Sequence, residues 1–233
     1  LSYIFGIIFG WFYCKKKIIK NDSIQKLFDD YIIYLILGIV LGGRLGYVLI
    51  YNLKYYLSNP LEIFMIWQGG MSFHGAIIGT ILVTYIFSLK KKISTFYFLD
   101  LVALSSPIGI FFGRIANFIN SELYGRETDL FWSVKFILID NLSRHPSQIY
   151  EAIFEGLFLF IILNFLFSKD GKKDGYISSL FLIFYSIFRF LIEFTREPDV
   201  HIGLVLFNLS MGQLISFVVL LIGIFLWHFK KNV

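Results

Sequence analysis

Seven predominantly apolar stretches run along the chain, at about residues 1–14, 30–51, 69–89, 96–118, 147–167, 175–195 and 209–229, with short polar segments between most of them. All but the first approach the roughly 20 residues that carry a helix across a hydrocarbon core. The pattern predicts an all-α fold, a polytopic transmembrane helical bundle of about seven spans forming one domain over 1–233. The first stretch is short and the chain starts at Leu1 without a methionine, so it reads as the remainder of an N-terminally truncated helix. It has neither the basic n-region nor the small-residue cleavage site of a signal peptide.

The polar segments differ in charge by turns. Lys15, Lys16, Lys17, Lys20 and Lys26 follow the first stretch, Lys90, Lys91 and Lys92 the third, Lys169, Lys172 and Lys173 the fifth, and Lys230 and Lys231 the seventh. The alternate segments hold only Lys54, Arg126, Lys135, Arg144 and Arg196. By the positive-inside bias the N-terminus is outside and the C-terminus cytoplasmic. The segment from Ile119 to His145 then lies outside, and at about 27 residues it is long for a plain connection. Its Phe131, Trp132 and Phe136 predict a small folded head at the membrane interface, over 119–146. Pro146 suits the first turn of the fifth span, His145 a cap or surface position. Leu53–Glu62, with Tyr51, Tyr55 and Tyr56, reads as an interfacial arm.

Three basic residues remain, Arg44, Arg114 and Arg189, and all lie inside apolar stretches. With His74 they fall in the outer halves of four spans, at one depth. A charge there costs several kcal/mol unless a partner, water or an anion meets it. Snorkelling to the headgroups explains any one of them; four at one level, with carboxylates nearby, fit a shared polar cavity better. Tyr185, Arg189, Glu193 and Arg196 are spaced 4, 4 and 3 apart and form one helical stripe. That stripe is either a self-neutralising ladder or a wall of the cavity. Arg114 and Asn117 share a helix face. Neither Arg114 nor Arg189 has an obvious carboxylate in the apolar part of its own span, so an outside anion is the expected partner. The glycines Gly6/Gly10, Gly38/Gly42/Gly46, Gly75/Gly79 and Gly109/Gly113 have the spacing of close helix packing. Arg44 stands in the densest of these clusters, where a structural role is equally open.

Composition agrees with the pattern. The chain is 57% hydrophobic and 20% aromatic, more than a soluble domain of its length needs. Its one cysteine, Cys14, excludes an internal disulfide or a CxxC metal site. The net charge of +5 comes from flanking lysines and implies no nucleic acid. No His/Asp/Glu cluster has ligand spacing, so no metal and no cofactor is expected.

Five blocks carry a resemblance: Gly42-Gly-Arg-Leu-Gly-Tyr47, Gly69-Gly-Met-Ser-Phe-His-Gly75, Gly113-Arg-Ile-Ala-Asn-Phe-Ile-Asn-Ser-Glu-Leu-Tyr-Gly-Arg126, His145-Pro-Ser-Gln-Ile-Tyr-Glu151, and the stretch from Tyr185 to Asp199. In that order the chain resembles the prolipoprotein diacylglyceryl transferases of bacterial inner membranes, essentially from end to end. The Arg114 block is the specific one; the glycine-rich blocks are weak alone. Ser121 stands where the family usually has glycine, and Ala116 is a similar small-residue variation. The family also carries further polar and aromatic residues N-terminal to Leu1.

The resemblance implies transfer of the diacylglyceryl group of phosphatidylglycerol to the lipobox cysteine of a prolipoprotein signal peptide. A thioether forms and glycerol phosphate leaves, at a site facing the outer leaflet of the inner membrane. It implies His74 as the base, with Arg114 and Arg189 on the phosphate. Asn117, Glu122 and Tyr185 would orient the glycerol hydroxyls or the arginines. Glu193 would hold Arg189 or Arg196, and Gly125 belongs with the substrate-binding residues. The attacking thiol is the substrate's, so Cys14 is idle. A membrane lipid transporter or a lipid-binding protein with an anionic headgroup site is the alternative, but it predicts internal repeats or paired broken helices. A protease or acyltransferase needs its own nucleophile, for which only Ser72 offers, and Ser72 reads more simply as a helix-entry residue.

Overall fold

The computed structural model describes residues 2–170, 173–198, 204–206 and 209–232; Lys172 and Asp199 lie outside these. Among the described residues six helices are long and apolar enough to cross a membrane: Asp22–Ile50, Phe73–Lys91, Thr95–Ile119, Ser147–Ser168, Tyr176–Thr195 and Met211–Lys230. The first apolar stretch forms α1 (Ser2–Tyr13), whose 12 residues are too few to cross alone. The chain is a multi-pass helical membrane protein. It divides into two compact units, Lys15–Leu99 and Leu1–Cys14 with Asp100–Val233.

In the unit Lys15–Leu99, α2 (Asp22–Ile50) begins eight residues before the apolar run expected from 30. Asn21 caps it by accepting from Ser23 N and Ile24 N, and Asp22 favours the positive end of the helix. The extra turns are amphipathic, with Phe28 buried and Asp29 paired to Lys15 at 2.7 Å. Periodicity of apolar residues alone misses such a polar extension. α4 (Phe73–Lys91) starts later than the expected 69, because Gly69 and Gly70 have φ of 88° and 76° and cannot continue a helix. Ser72 is its cap, accepting from Gly75 N at 3.2 Å.

The glycines of α2 and α4 bring two backbones into contact. A Cβ on Gly42 would sit 2.7 Å from Gly79 Cα, and one on Gly46 2.6 Å from Gly75 Cα. Tyr31, Phe87 and Phe98 fill the core beside them, with ring centroids 4.9–5.6 Å apart. Between α2 and α4 the chain makes α3 (Leu53–Ser58) and two 3-10 turns, Pro60–Phe64 and Ile66–Gln68.

The other unit holds α1 and most of α5 (Thr95–Ile119), followed by α6 (Ser147–Glu151), a π-helical segment Ala152–Phe158, α7 (Leu159–Asp170), α8 (Tyr176–Ile192) and α9 (Met211–Asn232). A Cβ on Gly6 would meet Gly109 Cα at 2.7 Å, so α1 packs closely on α5. Asp100 of α5 caps α8 from outside its own helix, accepting from Gly175 N and Ser178 N at 2.7 Å each. Between α5 and α6 lie β1 (Val134–Lys135) and β2 (Ser143–Arg144), antiparallel with Val134 opposite Arg144. β3 (Leu204–Leu206) and β4 (Leu209–Ser210) form a second antiparallel pair before α9.

The segment expected as a head is folded. Arg144 is its centre: it bonds Asp140 at 2.8 Å, Gly125 O at 3.1 Å and Glu197 at 3.2 Å, and lies 4.8 Å over the Tyr124 ring. Gly125 bridges to Arg196, and a Cβ there would meet His145 Cβ at 2.6 Å and Thr195 O at 2.8 Å. Glycine at 125 is thus required by close backbone approach.

Candidate active site

Three helices of the second unit converge on one carboxylate. Glu151, at the end of α6, is 0% exposed. Its Oε1 accepts from Arg189 and, at 3.1 Å, from Arg196 Nη1; its Oε2 faces Arg114 Nη1 at 3.2 Å. Glu155, also 0% exposed, stands in the π-helical segment, 3.7 Å from Arg114 Nη2 and 3.6 Å from Arg189 Nη1. Glu193 takes the other edge of Arg189 at 2.6 Å, and its second oxygen accepts from Ser210 Oγ at 2.9 Å. A Cβ at 212 would sit 2.6 Å from Glu193 Oε1, so Gly212 leaves room for that carboxylate.

The local folding explains the convergence. Arg189 and Glu193 are one turn apart on α8 and its continuation, while the last 3-10 turn, Glu193–Thr195, swings Arg196 back toward Glu151. Tyr185, one turn below Arg189, is buried and stacked on Phe181, and lies close enough to feel Glu155, Arg189 and Arg114 electrostatically. The π-helical segment widens the helix where Glu155 enters, and such segments are frequent at functional sites. Three guanidiniums and three carboxylates balance formally, which is how charges survive at that depth.

This corrects the sequence-based expectation for Arg114 and Arg189. Their anion is not missing: Glu151 and Glu155, on the span between those of the two arginines, face both, and Glu193 adds a carboxylate from Arg189's own helix. Neither Glu151 nor Glu155 is among the residues expected from the sequence, yet the signal that marks the arginines, an ionisable side chain inside an apolar run, marks both equally. On the α8 stripe Glu193 pairs with Arg189, whereas Arg196 turns to Glu151.

Asn117 and Glu122 pair with each other at the end of α5, the Asn117 amide donating to Glu122 Oε2 at 2.8 Å. Among the described residues no hydrogen bond or ion pair joins either to Arg114. Gly125 sits in the head backbone.

His74 and Arg44 belong to the unit Lys15–Leu99. His74 is in the first turn of α4, half-buried, its ring edge-to-face with Phe73 at 5.8 Å. Arg44 is 3% exposed and gives its donors to backbone carbonyls: Ile63 at 2.8 Å, Gly69 at 2.6 Å, Gly70 at 3.1 Å, Glu62 at 2.5 Å and Met65 at 3.4 Å. Five bonds match the five N–H groups of a guanidinium. Arg44 is structural, the clasp of the chain between α3 and α4.

The fold and the buried arginine–glutamate cluster define a multi-pass helical membrane protein with an ionisable site near the end of its spans, and comparison gives the family. The prolipoprotein diacylglyceryl transferase family model matches residues 1–229. Proteins named phosphatidylglycerol–prolipoprotein diacylglyceryl transferase are similar over 230 residues, 97% of this chain. The one from Rickettsia bellii is 52% identical over 88% of its own length, that from Rickettsia typhi 51% over 89%, and that from Rickettsia felis 50% over 89%. The chain belongs to the prolipoprotein diacylglyceryl transferase family and is a transferase.

Proposed function

We propose that the chain moves the diacylglyceryl group of phosphatidylglycerol onto the lipobox cysteine thiol of a prolipoprotein signal peptide, at the outer leaflet of the bacterial inner membrane. The thiolate sulfur bonds to the glyceryl carbon next to the phosphate, the carbon–oxygen bond breaks, and its electron pair leaves with glycerol phosphate. The thiol proton goes to a base, and His74 is assigned that role because a free thiol, with a pKa of about 8.5, is mostly protonated at neutral pH. Arg114 and Arg189 would bind the diester phosphate and stabilise the charge it gains as it becomes a monoester. Tyr185 and the Asn117–Glu122 pair would orient the glycerol hydroxyls, and Glu193 and Arg196 fix the arginine cluster.

The observation that supports this reading best is the gathering of Arg114, Arg189 and Arg196 on Glu151 near the ends of apolar helices. The test is a membrane assay with labelled phosphatidylglycerol and a lipobox peptide. Thioether product is expected; released fatty acid, or lipid movement without chemistry, would replace the reading by a lipase or a transporter. In the same assay His74→Gln should lose on the order of 10²-fold in turnover, partly recovered as rising pH ionises the thiol unaided. Near-normal turnover at neutral pH would remove His74 from the chemistry.

A further inference from the structure

The cluster is already balanced, and that creates a difficulty for any anionic substrate. Among the described residues, Arg114, Arg189 and Arg196 face Glu151, Glu155 and Glu193. A phosphodiester entering such a site adds a fourth negative charge to three positive ones, in surroundings where one uncompensated charge is expensive. Either a carboxylate moves out or one takes up a proton.

The three carboxylates are not held equally. Glu151 accepts hydrogen bonds from Arg189 and Arg196 and faces Arg114 at 3.2 Å. Glu193 has Arg189 at 2.6 Å and Ser210 at 2.9 Å. Among the described residues Glu155 has only the long contacts, 3.6 and 3.7 Å, and both of its buried oxygens lack a hydrogen bond, against one oxygen each in Glu151 and Glu193. It is also the carboxylate carried on π-helical backbone. The groups around it are Glu151 on its own helix, Arg114 on α5, and Arg189 and Tyr185 on α8, with Arg196 beyond. Losing the charge of Glu155 therefore sacrifices the weakest contacts and frees edges of the two guanidiniums assigned to the phosphate.

We propose that Glu155 is a placeholder anion: it holds Arg114 and Arg189 in the empty site and takes up one proton from solvent when the lipid phosphodiester replaces it. This rests on the reading of Arg114 and Arg189 as the phosphate clamp. Glu155 is a positioning residue in this scheme, acting through the arginines. Chemically, the carboxylate gains one O–H bond and the site exchanges one internal anion for the substrate's.

The consequence is a pH-dependent affinity. A phosphodiester does not titrate near neutrality, so any proton taken up on binding belongs to the protein. Where free Glu155 is ionised, uptake of one proton weakens binding about tenfold for each unit of rising pH. The experiment measures binding of a short-chain phosphatidylglycerol to the purified full chain in detergent, by calorimetry across pH and in buffers of different ionisation enthalpy. Wild type should take up about one proton per lipid, and Glu155→Gln should bind with no proton uptake and a flat pH profile. At high pH Glu155→Gln should bind more tightly than wild type. Glu155→Asp, which keeps the ionisable group, should retain the uptake and shows that the site tolerates substitution. Proton uptake that persists in Glu155→Gln, or weaker binding by Glu155→Gln across the whole pH range, overturns the proposal while leaving the clamp intact. If wild type and Arg114→Ala bind phosphatidylglycerol no better than a zwitterionic lipid, the clamp itself fails and the placeholder fails with it.

Discussion

Arg114 offers two N–H edges to two carboxylates at once, Glu151 at 3.2 Å and Glu155 at 3.7 Å. A lysine carries the same charge at a single point and cannot span both. Arg114→Lys should therefore lose on the order of 10²-fold in turnover, nearly as much as Arg114→Ala. The two variants should differ in stability. Arg114→Ala leaves three carboxylates facing two arginines and should cost about 3–5 kcal/mol, as expected for breaking a buried pair; Arg114→Lys should cost less. Turnover and thermal unfolding of the same detergent-solubilised samples check both parts. Full activity in Arg114→Lys would mean that a point charge suffices. Arg114 and Arg189 were legible in the sequence because a cation in an apolar run is conspicuous. Glu151 and Glu155 carry the same signal, an ionisable side chain in an apolar run, but the sequence does not show that their span packs between those of the two arginines. Arg44 looked like its neighbours in depth, and only the five carbonyls around it distinguish a clasp from a site residue. No sequence pattern reports backbone carbonyls.

At the scale of elements, the head between α5 and α6 is where pH should act outside the membrane. Burial lowers the His145 pKa below its usual value, and the Arg144 guanidinium holds the Asp140 carboxyl below the ordinary carboxylate range. Both folded values are depressed, so both groups contribute stability that is full above their unfolded pKa values and lost as pH falls through the folded ones. The unfolded values are about 6.5 for histidine and about 3.9 for aspartate. Protection of the β1–β2 amides from hydrogen exchange, taken relative to the intrinsic rate at each pH, should therefore fall in two steps, one beginning below about pH 6.5 and a second below about pH 4. His145→Gln should remove the first and Asp140→Asn the second; a single step surviving both changes would deny these groups any part. The helices themselves were largely readable from apolar runs, and their ends were not. α2 starts at Asp22 because a polar, amphipathic turn is stable beyond the apolar stretch, and α4 starts at Phe73 because two glycines adopt positive φ just before it. The fold of the head depends on Arg144 reaching Gly125, Asp140 and Glu197, contacts too distant in sequence for any local pattern to reveal.

For the whole molecule, the open quantity is which side of the membrane the cluster serves. Arg114 lies five residues before the end of α5 at Ile119, about 7–8 Å along a helix, so it belongs to whichever leaflet the head faces. The lysines between the apolar stretches predict that the head is outside and the segment after α4 is cytoplasmic. The chain offers a clean probe of this, because its one cysteine, Cys14, is buried. Phe131 of the head is 93% exposed, and Lys92 follows α4 directly. A membrane-impermeant maleimide applied to intact cells should label Phe131→Cys at once and leave Lys92→Cys unlabelled until the membrane is permeabilised. The unsubstituted chain should stay dark in both conditions. Labelling of Lys92→Cys in intact cells with Phe131→Cys protected would invert the topology. The arginine cluster would then open toward the cytoplasmic leaflet, on the wrong side for a translocated lipobox cysteine, and the proposed transfer at the outer leaflet would have to be abandoned.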